Sequence, residues 1–422
     1  MQTDSDTISL DGSSRLSVFD RRSSIFDIII VAIPFIAILF NRWLGPLSPL
    51  LVLAITPLYI LLRWERLYSV FVKCWPLLLL PGFALVSVFW SDEPSRTLRY
   101  GTLYILTVIP AIFVGAGSDK DALIKGIFIA FAIYMFLSVP FGRWVVWGGS
   151  GGQAFAGLLG SKNSSGDAAA LAILCTVAMF FWALSKRRIP WLVGSLLVLP
   201  LALFTLWASK STGAVITTIL ALPCLLLWTA SRLLARQVRV SIFVISFLIA
   251  TILVATVSFW MGPLFEAVME NSGKDAGLTG RDVLWRKADQ LIQERPWFGR
   301  GYNAFWVHNN LDAEFLWREM GIKGRNGFNF HNTPRGILVH LGITGLALFL
   351  IIFLYASFRL LIRSMMQPDM SGILCCTLLV FEAPRFYVET IGFQNMHIAT
   401  LIIFILLSYG LRPNNSKAIG MC

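Results

Sequence analysis

Arg281, Arg286, Arg300, Arg325, Arg335 and His331 share one polar stretch, 263–335, of a largely apolar chain. Guanidinium groups grip phosphate through paired N–H donors. An imidazole titrates near neutrality and can take a proton from a hydroxyl. Cations gathered around such a base suit an anionic, phosphate-bearing substrate. The stretch has no Asp-x-Asp pair, and the chain has no HExxH. No metal and no other cofactor is therefore expected, and side chains must supply the positive charge a phosphate leaving group needs.

The elements that carry this stretch are membrane spans. The 422 residues are 56% hydrophobic and 14% charged, with a mean hydropathy of +0.72. That composition excludes an ordinary soluble protein. Continuous apolar runs, rather than alternating ones, exclude a β-barrel. The pattern predicts an all-α polytopic membrane protein of about twelve spans, near 25–41, 45–62, 73–90, 99–116, 122–140, 166–184, 190–208, 211–230, 240–262, 335–358, 371–388 and 394–411. Six cysteines lie mostly inside apolar runs without metal-ligand spacing and read as small apolar filler. The polar N-terminus lacks the order of a cleavable signal, so the first helix is expected to remain as an anchor.

Basic loops set the orientation. Arg21 and Arg22, Arg63 and Arg66, Lys186 to Arg188, Arg232 to Arg239, Arg359 and Arg363, and Arg412 alternate with a twelve-span arrangement and mark one side as cytoplasmic. The net charge of +12 thus reflects topology, not nucleic-acid binding. Five regions follow: a cytoplasmic tail, 1–24; a transmembrane bundle of about nine helices, 25–262; a periplasmic loop, 263–335; about three more helices, 336–411; and a cytoplasmic tail, 412–422. Long loops translocate regardless of their basic residues, so the arginines of 263–335 are compatible with the periplasm.

Inside the loop, Thr279 to Glu294 reads as an amphipathic helix with Leu284, Ala288, Leu291 and Ile292 on one face. Asn309 to Met320 forms a second, shorter one. The next membrane helix starts at Thr333-Pro334, with Thr333 as its cap and Pro334 in the first turn. Its positive end then lies beside His331 and Arg335, a natural place for an anion. The segment 148–166 reads as a Gly- and Ser-rich polar loop. Its GLLGSK resembles a nucleotide loop only superficially, because Lys162 follows Ser161 rather than a glycine.

The order of motifs carries a resemblance. Thr279, Gly280, Arg281 and Trp285 match T-G-R-x-x-x-W. Arg295, Pro296, Gly299 and Gly301 match R-P-x-x-G-x-G. His331 and Asn332 precede an apolar helix with Leu341, Gly342 and Gly345 as L-G-x-x-G. Gly160 to Asn163 stands where a G-x-K-N element is found, and Ser209-Lys210-Ser211 where an S-R or S-K turn is found. Together these resemble the O-antigen ligase and Wzy-type polysaccharide polymerase superfamily. The WSDEPSRTLR element (90–99) is similar to that of the ExoQ-like exopolysaccharide polymerase branch. Lys210 stands where the ligase branch typically has arginine, which favours a polymerase.

The resemblance implies a GT-C-like bundle in a bacterial inner membrane, with both termini cytoplasmic. It implies an inverting glycosyltransferase that polymerises undecaprenyl-diphosphate-linked oligosaccharide repeat units into exopolysaccharide. His331 and Arg281 are the expected catalytic residues. Lys210, Arg335, Arg325 and Arg300 are the expected diphosphate ligands, and Trp285, Tyr302 and Asn332 the expected sugar contacts. Expected partners are the lipid-linked oligosaccharide, membrane lipids and a chain-length-regulating membrane protein. The alternatives are a ligase moving finished polymer to a lipid A core or another acceptor, and a transporter of polysaccharide or lipid-linked sugar. His340 and His397 are expected to be packed polar residues.

Overall fold

The computed structural model describes residues 13–147, 151–256, 259, 281–322, 324–325 and 328–413. Apolar helices account for most of it: α1 (Ser13–Leu39), α2 (Leu47–Leu62), α3 (Trp64–Trp90), α4 (Pro94–Gly117), α5 (Lys120–Phe141), α6 (Lys162–Ser185), α7 (Ile189–Ser209), α8 (Thr212–Ser231) and α9 (Arg236–Ala255) precede the loop helices α10 (Arg281–Glu294) and α11 (Leu311–Glu319). Then come α12 (Thr333–Met366), α13 (Met370–Tyr387) and α14 (Ile398–Leu411). Among the described residues, nine helices are long and apolar enough to cross a membrane, and Ile25–Leu39, α2 and α14 are shorter apolar helices. These twelve segments coincide with the twelve apolar runs of the sequence. The chain is a polytopic, mostly helical membrane protein.

Two departures concern local structure. The Gly-rich segment after α5 is not wholly loop: Arg143–Trp147 and Gly152–Gly157 pair antiparallel as a two-stranded hairpin. The first helix begins at Ser13, inside the stretch expected to be a tail.

The bundle has a clear inside. Every residue of Met370–Glu382 and of α14 is buried, so these two helices form its axis, with α6 beside them. Helices α2, α7, α9 and α12 instead present exposed Leu50, Leu61, Leu196, Trp207, Ile245, Ile351 and Leu354. Unpaired apolar faces of this kind belong against lipid tails.

Helix α12 is broken at Gly342, whose φ of 66° and ψ of −166° are not helical. The break frees backbone groups that a membrane interior cannot satisfy. The segment 296–301 satisfies them: Arg300 N–H donates to Val339 O (3.0 Å), Gly301 N–H to His340 O (2.9 Å), Ile343 N–H to Pro296 O (2.7 Å) and Thr344 N–H to Trp297 O (3.2 Å). A Cβ on Gly342 would overlap the Trp297 carbonyl, and one on Gly299 (φ 66°) the His340 carbonyl. The two glycine motifs are thus the two sides of one backbone joint.

The loop packs a small core of its own. Leu284, Trp285, Ala288 and Leu291 of α10 meet Phe305, Trp306, Leu316, Trp317 and Phe330. The amphipathic face read from the sequence is therefore the buried one. Thr279 and Gly280 lie outside the described residues. Helix α11 starts where expected, with the Asn310 side chain accepting from Asp312 N–H at 3.1 Å.

Candidate active site

The start of α12 places the site. Asn332, not Thr333, is its N-cap: the Asn332 side chain accepts from Arg335 N–H at 2.9 Å. Thr333 is thereby free to tie in another segment. Its hydroxyl donates to Glu389 O (2.8 Å) and accepts from Ile391 N–H (2.8 Å). Asn332 also donates to Tyr387 O (2.9 Å), and Thr390 donates to Asn329 Oδ1 (3.1 Å). Four hydrogen bonds thus clamp the 387–391 connection between α13 and α14 onto 329–333.

That clamp brings one carboxylate to both expected catalytic residues. His331 Nδ1 lies 2.9 Å from Glu389 Oε2, and Arg281 Nη2 lies 3.0 Å from Glu389 Oε1. His331 adopts a left-handed φ of 47°, an uncommon conformation for a residue with a side chain. Its N–H is held by Asn329 Oδ1 at 2.7 Å. Burial would raise the Glu389 carboxyl, but the facing His331, Arg281 and Arg385 outweigh it and hold it down at about 2. Glu389 is therefore an anion at any physiological pH.

Glu389 was not legible as a site residue, and neither was the network behind it. Arg385, 3% exposed, bonds Glu382 (2.6 Å) and also Asp167. One cation thus ties the end of α13 to the first turns of α6. The signal was available: ionisable groups within apolar segments mark function by default, and FEAPRFYVE (381–389) holds three of them, Glu382, Arg385 and Glu389.

The other expected residues divide. Arg335 forms a two-pronged pair with Asp289 (2.8 and 3.1 Å) and lies over the Trp285 ring at 5.1 Å. Trp285 donates to Phe330 O (3.0 Å) and packs edge-on against Tyr387. These residues wall the site beside Glu389. Arg300 pairs with Asp92 (3.0 Å) and with Glu294, while Arg325 pairs with Glu314 (2.9 Å). Among the described residues, none of these three pairs includes Glu389, Arg281 or His331. Tyr302 is buried, stacks on Tyr104 and donates to Phe393 O (2.8 Å). His340 faces Gly301 O at 3.2 Å. His397 caps α14 by accepting from Ala399 N–H.

Lys210 ends α7 in a left-handed turn (φ 54°), with its ammonium 4.3 Å from the centre of the Trp207 ring. Its carbonyl faces the Lys162 ammonium at 3.4 Å. Gly166 packs directly on Ser209 and Ser211, so this turn abuts the residue next to Asp167. Arg42 lies against Gly160. Arg42, Lys162 and Lys210 thus border the same end of α6 that Arg385 grips.

A cavity of about 220 Å³ adjoins the clamp. Asn303, Asn329, Gln394 and Asn395 line it with amides, and Tyr100 and Trp306 with aromatic rings. Amides and aromatic faces together are the chemistry of sugar binding: the first hydrogen-bond hydroxyls, the second cover ring C–H groups.

Residues 197–350 match the O-antigen ligase family model, Wzy_C. That segment contains Lys210, Arg281 and His331; Asp167, Arg385 and Glu389 lie outside it. The exopolysaccharide production protein ExoQ of Rhizobium meliloti (strain 1021) is 29% identical over 339 residues, covering 80% of this chain and 77% of that protein. The segment 197–350 is thus similar to the Wzy_C O-antigen ligase family, and the chain resembles ExoQ over most of its length.

Proposed function

We propose that the protein is an inverting glycosyltransferase that polymerises undecaprenyl-diphosphate-linked oligosaccharides into exopolysaccharide. The bridging of His331 and Arg281 by Glu389 carries this reading. With Nδ1–H donating to Glu389, the His331 ring is fixed in the tautomer whose Nε2 is an acceptor. Nε2 takes the proton of the acceptor hydroxyl as that oxygen attacks the anomeric carbon. The bond to the lipid diphosphate breaks, and its electrons leave on the phosphate oxygen. Arg281, whose guanidinium uses only one edge on Glu389, steadies that oxygen together with Lys210. Arg335 supports the wall and adds positive charge nearby. A single displacement inverts the anomeric centre.

The amide-lined cavity beside Asn329 and Thr390 receives the incoming sugar. Asn332 and Trp285 hold the frame of the site. The reaction runs on the periplasmic face of a twelve-span, GT-C-like bundle with both termini cytoplasmic. It needs no divalent ion, since Glu389 is already neutralised by side chains.

The match to an O-antigen ligase model favours a second reading, in which finished polymer moves from its carrier to a different acceptor. The lipid-linked glycan of a deletion strain separates the two. Single repeat units on the carrier are expected. Full-length polymer stranded on the carrier overturns polymerisation in favour of ligation.

A further inference from the structure

Helices α4, α12 and α14 each run from the site to the opposite end of the bundle. Pro94, Thr333 and Ile398 begin them near the site, and Gly117, Met366 and Leu411 end them together. At that far end lies a second polar cavity, of about 320 Å³. Arg66, Lys120, Arg363 and Arg412 line it with four cations, and Ser69 and Gln367 add uncharged polar groups. The mechanism uses none of them.

The carboxylates nearby are already committed. Asp119, which lines the cavity itself, caps α5 by accepting from Asp121 N–H and Ala122 N–H. Asp27 faces Arg63, Arg66 and the Asp119 N–H. Asp369 pairs with Lys120 at 2.9 Å and accepts from the Tyr409 hydroxyl. Arg412 has no carboxylate partner among the described residues. It is 9% exposed, donates through Nε to Ala116 O (3.0 Å), and stacks on Tyr409. Its Nη1 is buried without any hydrogen-bond partner among the described residues. A buried charged donor without an acceptor is costly, and such groups are normally satisfied.

We propose that this cavity binds a phosphate-bearing anion, and that its source is the headgroup of an anionic phospholipid. The cations converge from four chain segments, α3, the start of α5, the end of α12 and the end of α14. That converging geometry suits a phosphodiester between helices. The cavity opens where apolar helices end, the level of lipid headgroups. A wholly apolar cavity of about 290 Å³ lies beside it on α3 and α4, lined by Leu67, Phe71, Trp75, Leu78 and Phe113. An acyl chain fits that chemistry, whereas a soluble phosphate has no use for it.

Native mass spectrometry of the full chain in nonionic detergent tests this with phosphatidylglycerol, phosphatidylcholine and pyrophosphate as probes. Phosphatidylglycerol is expected to be retained at least fivefold better than phosphatidylcholine. Gln367→Glu puts a negative charge on an exposed residue of the lining, and Arg66→Ala removes a cation; each should cut that retention at least fivefold. Arg412→Met should do the same. If that variant fails to fold, the other two decide the matter. Equal retention of the two lipids, or retention indifferent to Gln367→Glu and Arg66→Ala, overturns the proposal. Pyrophosphate that binds lipid-free protein with the same sensitivity to the variants upholds the phosphate chemistry and overturns the lipid source.

Discussion

His331 and Glu389 stand 58 positions apart in sequence and 2.9 Å apart in space. The carboxylate also takes Arg281 on its other oxygen, so imidazole and guanidinium share one anchor. Removing the anchor should therefore disable both. Glu389→Gln and Glu389→Ala are each expected to lower turnover about 100-fold or more, the scale of a lost general base. Glu389→Asp should recover little, because the shorter side chain cannot reach both partners. Turnover of purified protein on lipid-linked donor and acceptor measures this. Near-normal turnover in Glu389→Gln would remove the carboxylate from the mechanism.

His331→Ala and Arg281→Ala are expected to abolish polymer with normal membrane insertion, since neither contributes to an apolar insertion signal. Arg281→Lys should retain a small fraction, because a point charge replaces a planar fork. Full-length glycan from either alanine variant, read on gels of labelled polysaccharide, would exclude that residue.

The ion cluster should also be visible in stability. The Glu389 carboxyl is lowered in the folded protein from 4.5 to about 2. A depressed carboxyl stabilises the fold fully above its unfolded value, and that contribution fades as pH falls toward the folded one. The difference in Tm between wild type and Glu389→Gln should thus be constant above about pH 5 and shrink between pH 4.5 and 2. A difference that grows on acidification would contradict the assignment.

Gly342→Ala and Gly299→Ala are expected to destabilise the protein by about 2 kcal/mol or more, since each sets a side chain at positive φ against a carbonyl. Gly213→Ala, where a Cβ meets nothing within 4 Å, is the matched control. Thermal unfolding in detergent compares the three. Equal Tm values would mean that the joint tolerates a side chain.

Arg300 and Lys210 should part company in kinetics. Arg300 is held by Asp92 and Glu294, so Arg300→Ala should lower Tm and leave the donor KM nearly unchanged. Lys210→Ala should raise the donor KM about tenfold, the loss of one charge-assisted contact, while Lys210→Arg restores it. Initial rates at varied donor concentration distinguish them.

Much of the scaffold was legible because lipid imposes a simple rule on sequence: apolar runs of membrane length become helices. Among the described residues, each of the twelve runs holds a helix. The first loop helix was legible from periodicity, whereas the Asn310 cap of the second shows only in the structure. The site was legible only in part. Arg281 and His331 stand out as polar groups in a polar stretch. Glu389, Arg385 and Asp167 sit in or beside apolar spans, and their meeting depends on how α6 and α13 pack. Hydropathy carries no information about that. The N-cap was misplaced by one residue because Asn332 and Thr333 both suit the role, and only Glu389 O shows which is engaged elsewhere.

The joint between 296–301 and the break at Gly342 also imposes an order of assembly. The glycine segment leaves the ribosome before the helix whose open amides and carbonyls it completes. It must wait, its own backbone groups satisfied by water, until α12 forms beside it. The candidate site is therefore finished only once α12 is in place, and His331, which follows the glycine segment in synthesis and precedes the break, is set in place by that final closure.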